Sequence, residues 1–382
     1  MIQHDLRIAI LCPGYGRVIR GVETFTGELA GRLLDIQPEW RIDIYCRGAH
    51  AEPSPGIRQI HVPAVDRDSR AATFYARLGH RFRMCLRTRI DAECLSFTLA
   101  LAPRFLRARY DVIFNQAGPF AGRLLQMKRR LDGTPFIHKT ASGYAELELI
   151  MARQRPDAIV ATSPFVGEWL EQCGVSPRVE CIPNAVDCSL FRPYAAAEIE
   201  SSRDGLAVFS LGRPVVLFVG AMEPMKRPEL LLSAVAALPE ASLAMVGSGR
   251  LSDSVVGLGV KLLGKRFLHV ACVPRDQMAL YYNACDVFTL PSEEPFGIAF
   301  LEAMACNKPV LGHRSPVQQW IFGDAGTTCD CTNVHEYASA IRRLLATDFG
   351  DRPRERSRAF DWAEIVPKYA DLFSQVAAVR GS

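Results

Sequence analysis

Short apolar runs alternate with longer amphipathic segments along nearly the whole chain, and both halves of the sequence show this pattern. The runs have the length of strands, and the segments between them repeat apolar residues at helical spacing. Such alternation is typical of parallel α/β sheets, in which helices connect successive strands. The predicted strands are 7–11, 41–46, 112–115, 135–138, 158–161, 215–220, 243–247, 287–291 and 310–311. The predicted helices are 23–34, 164–173, 227–237, 276–285, 298–306 and 339–346.

The two halves meet in a stretch of small and polar residues at 195–205, which predicts a domain boundary. We therefore expect a first domain over 1–195, a second domain over 206–358 and a C-terminal segment over 359–382. Within that last segment, residues 360–373 have the pattern of an aromatic amphipathic helix. A chain of 382 residues has ample material for two hydrophobic cores.

Composition narrows the class of protein. Apolar residues make up 49% of the chain and the mean hydropathy is +0.05, values that are typical of a soluble globular protein. The first apolar run is too short for a signal peptide, and no run approaches the ~20 apolar residues of a membrane span. The 12 cysteines include no C-x-x-C pair, which favours buried thiols in a reducing cytosol over disulfides. We therefore expect a cytoplasmic protein, with a location at the cytoplasmic face of the membrane left open.

Charge is distributed unevenly. The net charge of the chain is +4, yet residues 70–130 contain thirteen basic and three acidic residues and so carry +10. In its first third the segment interleaves arginines with Phe82, Met84 and Leu86, which suits the headgroup layer of an anionic membrane. An ordinary basic domain face explains the same composition, and both interpretations stay open. Nucleic acid is disfavoured because no matching motif is present.

The most informative stretch is 291–310, in which Glu294 and Glu302 lie on either side of Phe296 and Gly297. One continuous helix would separate the two carboxylates by ~12 Å along its axis, so the spacing favours a loop that ends at Gly297 and a helix that follows it. Free N–H groups at the start of such a helix bind phosphate, and a glycine there allows close approach. With a carboxylate on each side for hydroxyl groups, the layout suits a sugar–diphosphate–nucleoside.

With these residues, the chain resembles glycosyltransferase family 4, the retaining nucleotide-sugar transferases of the GT-B fold. The resemblance implies two Rossmann-like α/β domains that face each other across a cleft, with a C-terminal helix that crosses back to the first domain. It extends from the first strand to the last helix. It is carried by the two-glutamate motif at 294–305, the strand and loop at 219–228, the strand at 181–187, and weaker matches at 246–249 and 323–326.

Carried over to this sequence, the resemblance implies a role for each matched residue. Glu302 would bind ribose hydroxyls, and Glu294 would contact the transferred sugar. Gly297 and Ile298 would donate backbone N–H groups to the diphosphate, and Phe296 belongs to the same donor-binding motif.

A lysine would complete the donor site. Lys226 would neutralise the leaving diphosphate, and physics supports this role separately. Breaking a glycosyl–phosphate bond builds negative charge on the phosphate, so a fixed cation stabilises the transition state more than the ground state. Ala221 stands where the family often has arginine, which leaves one phosphate contact absent or supplied by Arg227.

The first domain supplies three further candidates. Gly21 matches the glycine loop that approaches donor and acceptor, although the family's glycine pair is here Arg20-Gly21. Arg20 is a candidate for contact with an acceptor phosphate. His138 is at the end of the predicted strand 135–138, where a family histidine near the transferred sugar often lies, and a purely structural histidine explains it equally well.

The predicted function is retaining transfer of a hexosyl-type group from a UDP- or GDP-sugar to a hydroxyl of a sugar or lipid-linked acceptor. The setting that the resemblance implies is bacterial cell-envelope polysaccharide, glycolipid or glycoconjugate biosynthesis. No metal is expected, because the Asp66-x-Asp68 spacing of metal-dependent transferases occurs here without supporting motifs. No cofactor is expected either, because the glycines at 14–16 and 247–249 do not complete the G-x-G-x-x-G motif of dinucleotide-binding sites. The alternatives are a catalytically degenerate, nucleotide-sugar-binding partner subunit and a GT-B epimerase or phosphorylase.

Overall fold

The computed structural model describes residues 5–17, 21–48, 56–67, 69–81, 88–140, 145–201, 207–292 and 296–379. The chain divides into two compact units. The first unit consists of Met1–Pro183 together with Ile365–Ser382, and the second of Asn184–Glu364. Among the helices of the described ranges, none is both long enough and apolar enough to cross a bilayer.

The first unit is built on a parallel sheet with strand order β3-β2-β1-β4-β5-β6-β7. Its strands are β1 Arg7–Leu11, β2 Arg41–Cys46, β3 Ile57–His61, β4 Val112–Asn115, β5 Phe136–Lys139, β6 Ala158–Ala161 and β7 Arg178–Cys181. Its connecting helices are α1 Gly21–Ile36, α2 Arg70–Arg81, α3 Arg89–Phe105, α4 Gly118–Asp132, α5 Ala145–Ala152 and α6 Pro164–Gln172. The central strands β1, β4 and β6 are buried on both faces along nearly their whole length, which explains why their residues are apolar except for Arg7 and Asn115 at strand ends.

The second unit repeats this architecture with a parallel sheet of order β10-β9-β8-β11-β12-β13. Its strands are β8 Val215–Val219, β9 Ser242–Val246, β10 Phe267–Val270, β11 Val287–Leu290, β12 Val310–His313 and β13 Gly326–Cys329. Its helices are α7 Ala196–Ser201, α8 Pro228–Ala236, α9 Ser252–Leu263, α10 Arg275–Ala284, α11 Ile298–Ala305, α12 Pro316–Phe322, α13 Val334–Leu345 and α14 Arg352–Arg358. Short 3₁₀ turns lie at Ala207–Ser210, Pro224–Lys226 and Gly264–Arg266.

The division between the units falls after Pro183, twelve residues before the boundary expected from composition. The cause is burial, because Val186 and Phe191 lie in the core of the second unit. Arg354 strengthens this attachment, since its guanidinium donates to the carbonyls of Cys188 and Phe191 at 2.8 Å each. The small, polar residues that suggested a linker include helix α7, which belongs to the second unit.

The last helix, α15 Trp362–Ala378, begins in the second unit and continues into the first. Trp362 donates its backbone N–H to the Val186 carbonyl at 3.1 Å. Further along, Tyr369 lies 5.8 Å from the ring centres of both Phe25 and Phe114, within the core of the first unit. The C-terminal segment therefore joins the first unit from Ile365 rather than from residue 359.

Candidate functional site

The strand order of the second sheet creates a switch point. From β8 the chain adds β9 and β10 on one side, and β11, β12 and β13 follow on the other side. β8 and β11 are therefore neighbours whose following loops run to opposite faces of the sheet. In doubly wound sheets, ligands bind at the carboxyl ends of the two strands at such a point.

The loop after β8 carries the basic residues of the site. It forms the 3₁₀ turn Pro224–Lys226, and Arg227 follows with a left-handed backbone (φ 50°) before α8 begins. The loop is held by close backbone packing on the loop after β9. A Cβ at Gly247 would lie 1.9 Å from the Gly220 carbonyl oxygen, so only glycine fits there. This contact fixes the loop that presents Lys226 and Arg227.

The loop after β11 ends at the start of helix α11. Gly297 adopts a left-handed conformation (φ 83°, ψ 79°) and is the residue just before the helix, and no described side chain caps this terminus. The first amides of a helix have no carbonyl partner within it, so the N–H groups at the start of α11, beginning with that of Ile298, are available to an anion. Phe296 is 3% exposed, and its ring packs near Trp320 and Phe360. These contacts hold Phe296, the residue before Gly297, in the core of the second unit.

Glu302 lies one turn into α11, with its side chain 12% exposed. Two residues of α10 contact its carboxylate. The Tyr282 hydroxyl donates to Oε2 at 2.7 Å, and Arg275 Nη1 donates to Oε1 at 3.3 Å. Burial and the adjacent Glu302 carboxylate raise the pKa of Tyr282 well above its usual value, so the phenol stays protonated as a donor. The sequence motif predicted Glu302 and gave no indication of Tyr282 or Arg275.

His138 and Gly21 belong to the first unit, whose strand order reverses between β1 and β4. Gly21 is the first residue of α1. His138 is 1% exposed on β5, and its Nε2 lies 3.4 Å from Glu148 Oε2. Its Nδ1 is buried without a hydrogen-bond partner in the described residues.

Beside His138, Lys139 is buried with its ammonium 4.3 Å from the centre of the Phe25 ring. Burial lowers the pKa of Lys139 to about 7, against the opposing effect of the Glu148 carboxylate. Sequence pattern gave no indication of this lysine, because it continues an apolar strand without any motif of its own.

Several predicted residues lie outside the described part of the chain: Glu294, Arg20, Asp68 and residues 82–87. Of the Asp66-x-Asp68 spacing, Asp66 is described and pairs with Arg17. The intervening Arg67 donates through Nε to Glu93 Oε2 at 2.6 Å.

Two doubly wound parallel sheets, with a basic loop and a helix start at the switch point of the second, define a GT-B protein. Comparison with solved structures supports this fold. The sucrose-phosphate synthase of Thermosynechococcus elongatus matches with a TM-score of 0.79 and 23% identity, over 98% of this chain and 100% of that chain. The Anabaena protein HepE, crystallised with UDP and glucose, matches with a TM-score of 0.72 and 19% identity, over 97% and 99% of the two chains.

Family models identify the family. The model for Glycosyltransferase Family 4 matches residues 19–190, and the model for Glycosyl transferases group 1 matches residues 207–360. The chain belongs to glycosyltransferase family 4. A D-inositol 3-phosphate glycosyltransferase from Corynebacterium glutamicum is 28% identical over 53% of this chain, and the match spans about half of that relative, 52% of its length.

Proposed function

We propose that the protein transfers a hexosyl-type group from a UDP- or GDP-sugar to an acceptor hydroxyl, with retention of anomeric configuration and without a metal. The observation that carries the proposal is the meeting of two features at neighbouring strand ends. The basic loop with Lys226 follows β8, and the helix start at Gly297 follows β11. Both features favour a diphosphate at the same edge of the sheet.

Under this proposal, each residue of the candidate site has a defined role in binding or in transfer. Amides at Gly297 and Ile298 hold the diphosphate, and Glu302 accepts hydrogen bonds from the ribose. Lys226 stabilises the charge that grows on the departing phosphate, and one preorganised group of this kind contributes ~3–4 kcal/mol, or ~10²–10³ in rate. No described residue stands out as a covalent nucleophile, which favours substitution on one face of the sugar, with the leaving phosphate accepting the acceptor's proton.

The names of related proteins guide the choice of substrates. One relative is named for inositol 3-phosphate, one structural neighbour for sucrose phosphate, and another was crystallised with UDP and glucose. We therefore propose UDP-glucose as the first donor to test and polyols or sugars, with or without a phosphate, as the first acceptors. Lipid-linked acceptors of cell-envelope glycoconjugates form the second group.

The experiment is a transfer assay with UDP- and GDP-hexoses, read by mass spectrometry of the acceptor and NMR of the new linkage. We expect an α-linked product from an α-linked donor, formed equally well in EDTA. An inverted linkage would refute retention, and loss of activity in EDTA would refute metal independence. Nucleotide binding without turnover of any donor would favour the partner-subunit alternative. Sugar rearrangement without an acceptor would indicate an epimerase, and phosphate-dependent cleavage a phosphorylase.

A second proposal concerns the basic segment 70–130, which we propose binds an anionic membrane surface at the cytoplasmic face. Helices α2 and α3 expose apolar side chains beside exposed arginines: Phe74 is 62% exposed, Tyr75 45%, Ile90 51% and Leu99 66%. Such apolar side chains can insert below the lipid headgroups. Each basic residue near an anionic membrane surface adds about 1 kcal/mol of electrostatic attraction, and the two effects together produce reversible binding.

Vesicle sedimentation tests the membrane proposal. We expect binding to vesicles with anionic lipid that weakens as salt rises, since surface charges are screened. Replacing Phe74 and Tyr75 by alanine should weaken binding. Replacing Val260 and Leu262, which are 59% and 39% exposed in the second unit, should not. Absence of binding at low salt would refute this role and leave the basic segment as an ordinary surface.

A further inference from the structure

The carboxylate of Glu302 is held by two donors from the neighbouring helix. Tyr282 donates to one oxygen at 2.7 Å and Arg275 to the other at 3.3 Å. Both donors come from α10, whereas Glu302 is on α11. The carboxylate is thus oriented by groups that lie twenty or more residues away in the sequence.

Both donors contact the same buried aromatic residue. Phe191 is 0% exposed, its ring centre is 5.8 Å from that of Tyr282, and the Arg275 guanidinium lies 5.3 Å above it. Tyr282 is fully buried and also packs on Phe288 at 5.6 Å. The phenol therefore has little freedom to move, and its hydrogen bond to Glu302 is formed before any ligand arrives.

We propose that Tyr282 and Arg275 are positioning residues that aim the Glu302 carboxylate at the ribose hydroxyls of the nucleotide. The inference rests on the proposed function, because it assumes that Glu302 contacts ribose. Its physical basis is preorganisation. A carboxylate held in one orientation loses less conformational freedom on binding than one that rotates, so more of the interaction appears as affinity.

The test compares ribonucleotides with their dideoxy analogues on two tyrosine variants. Tyr282→Phe removes the hydroxyl and keeps the ring, so the core packing around Phe191 is retained. Binding of UDP, GDP and their 2′,3′-dideoxy analogues is measured by calorimetry. We expect Tyr282→Phe to weaken binding of the ribonucleotide about tenfold, the loss that corresponds to one charge-assisted hydrogen bond. Binding of the dideoxy analogue, which lacks the hydroxyls, should change less than twofold.

Tyr337 provides the matched control. It is also 0% exposed in the second unit, and its hydroxyl lies 2.7 Å from Thr289 Oγ1. Tyr337→Phe should reduce thermal stability and leave the affinities for both nucleotides unchanged. Arg275→Lys, which keeps a donor, should weaken ribonucleotide binding less than Arg275→Met.

The outcomes separate the inference from the function on which it rests. If Tyr282→Phe weakens binding of the ribonucleotide and of its dideoxy analogue equally, the positioning role is wrong. The same holds if it weakens ribonucleotide binding no more than Tyr337→Phe does. In either case the assignment of the nucleotide site is unaffected. If the wild-type protein binds neither UDP nor GDP, the proposed function fails and the inference fails with it. A loss confined to the ribonucleotide supports both.

Discussion

Lys139 allows a direct test of how burial of a charged side chain changes the stability of the first unit with pH. Its side chain is 3% exposed, and burial lowers its pKa to about 7. In the unfolded chain a lysine has a pKa of ~10.4. Between these two values the unfolded chain binds more protons than the folded one, so the free energy of unfolding rises with pH. Below pH 7 both states are protonated and this contribution is constant.

Replacing Lys139 by methionine removes this pH dependence and keeps the length of the side chain. Because one pKa unit corresponds to about 1.4 kcal/mol, the stability of the wild type relative to the variant should rise by about 2 kcal/mol between pH 7 and pH 9. Titrations of other groups largely cancel in the difference between the two proteins.

The assay is urea unfolding of both proteins at pH 6, 7, 8 and 9, followed by circular dichroism. Lys128→Met is the control, because Lys128 is 0% exposed and its ammonium is bound 2.7 Å from Asp132 Oδ2. The rise should appear for Lys139→Met and not be reproduced by Lys128→Met. A difference that is flat or falls between pH 7 and pH 9 would show that burial does not lower the pKa of Lys139.

Three further predictions follow from the described contacts. Lys226→Ala should lower kcat by ~10²–10³ in the transfer assay, whereas Lys261→Ala, on the exposed surface of α9, should leave it unchanged. Gly247→Ala places a Cβ 1.9 Å from a backbone oxygen and should lower the free energy of unfolding by at least ~2 kcal/mol. Gly257→Ala places its Cβ in open space and should raise the free energy of unfolding by ~0.5–1 kcal/mol. Urea unfolding measures both changes. Phe373→Ala should cost ~3–5 kcal/mol in the first unit, because this ring is 0% exposed; a loss below 1 kcal/mol would contradict the packing of α15.

The sequence predicted the central strands because they are buried on both faces. β1, β2, β4 and β6 have the predicted bounds, and β8, β9 and β11 differ by one or two residues. The edge strands β3, β7, β10 and β13 were missed. Most of their residues are at least partly exposed and include polar side chains, so these strands lack a continuous apolar run.

At the candidate site, the sequence predicted features that depend on neighbouring residues and did not predict contacts between separate helices. The glycine before α11 predicted where that helix begins, because a left-handed residue just before a helix favours glycine. Nothing in the spacing of Arg275, Tyr282 and Glu302 indicates that they form a hydrogen-bonded set, since the pairing depends on how α10 and α11 pack. The domain boundary differs from the predicted one for a related reason. Residues 195–205 have the composition of a linker, but the segment before them belongs to the second unit because Phe191 is buried in its core.

The proposed function depends on the N–H groups at the start of α11, which bind the diphosphate of the nucleotide sugar. A crystal structure of the protein with UDP or GDP would show whether they do. We expect phosphate oxygens within hydrogen-bond distance of the amides at Gly297 and Ile298, near Lys226, with the ribose at Glu302. A nucleotide bound at another edge of the sheet, with these amides covered by side chains, would contradict it.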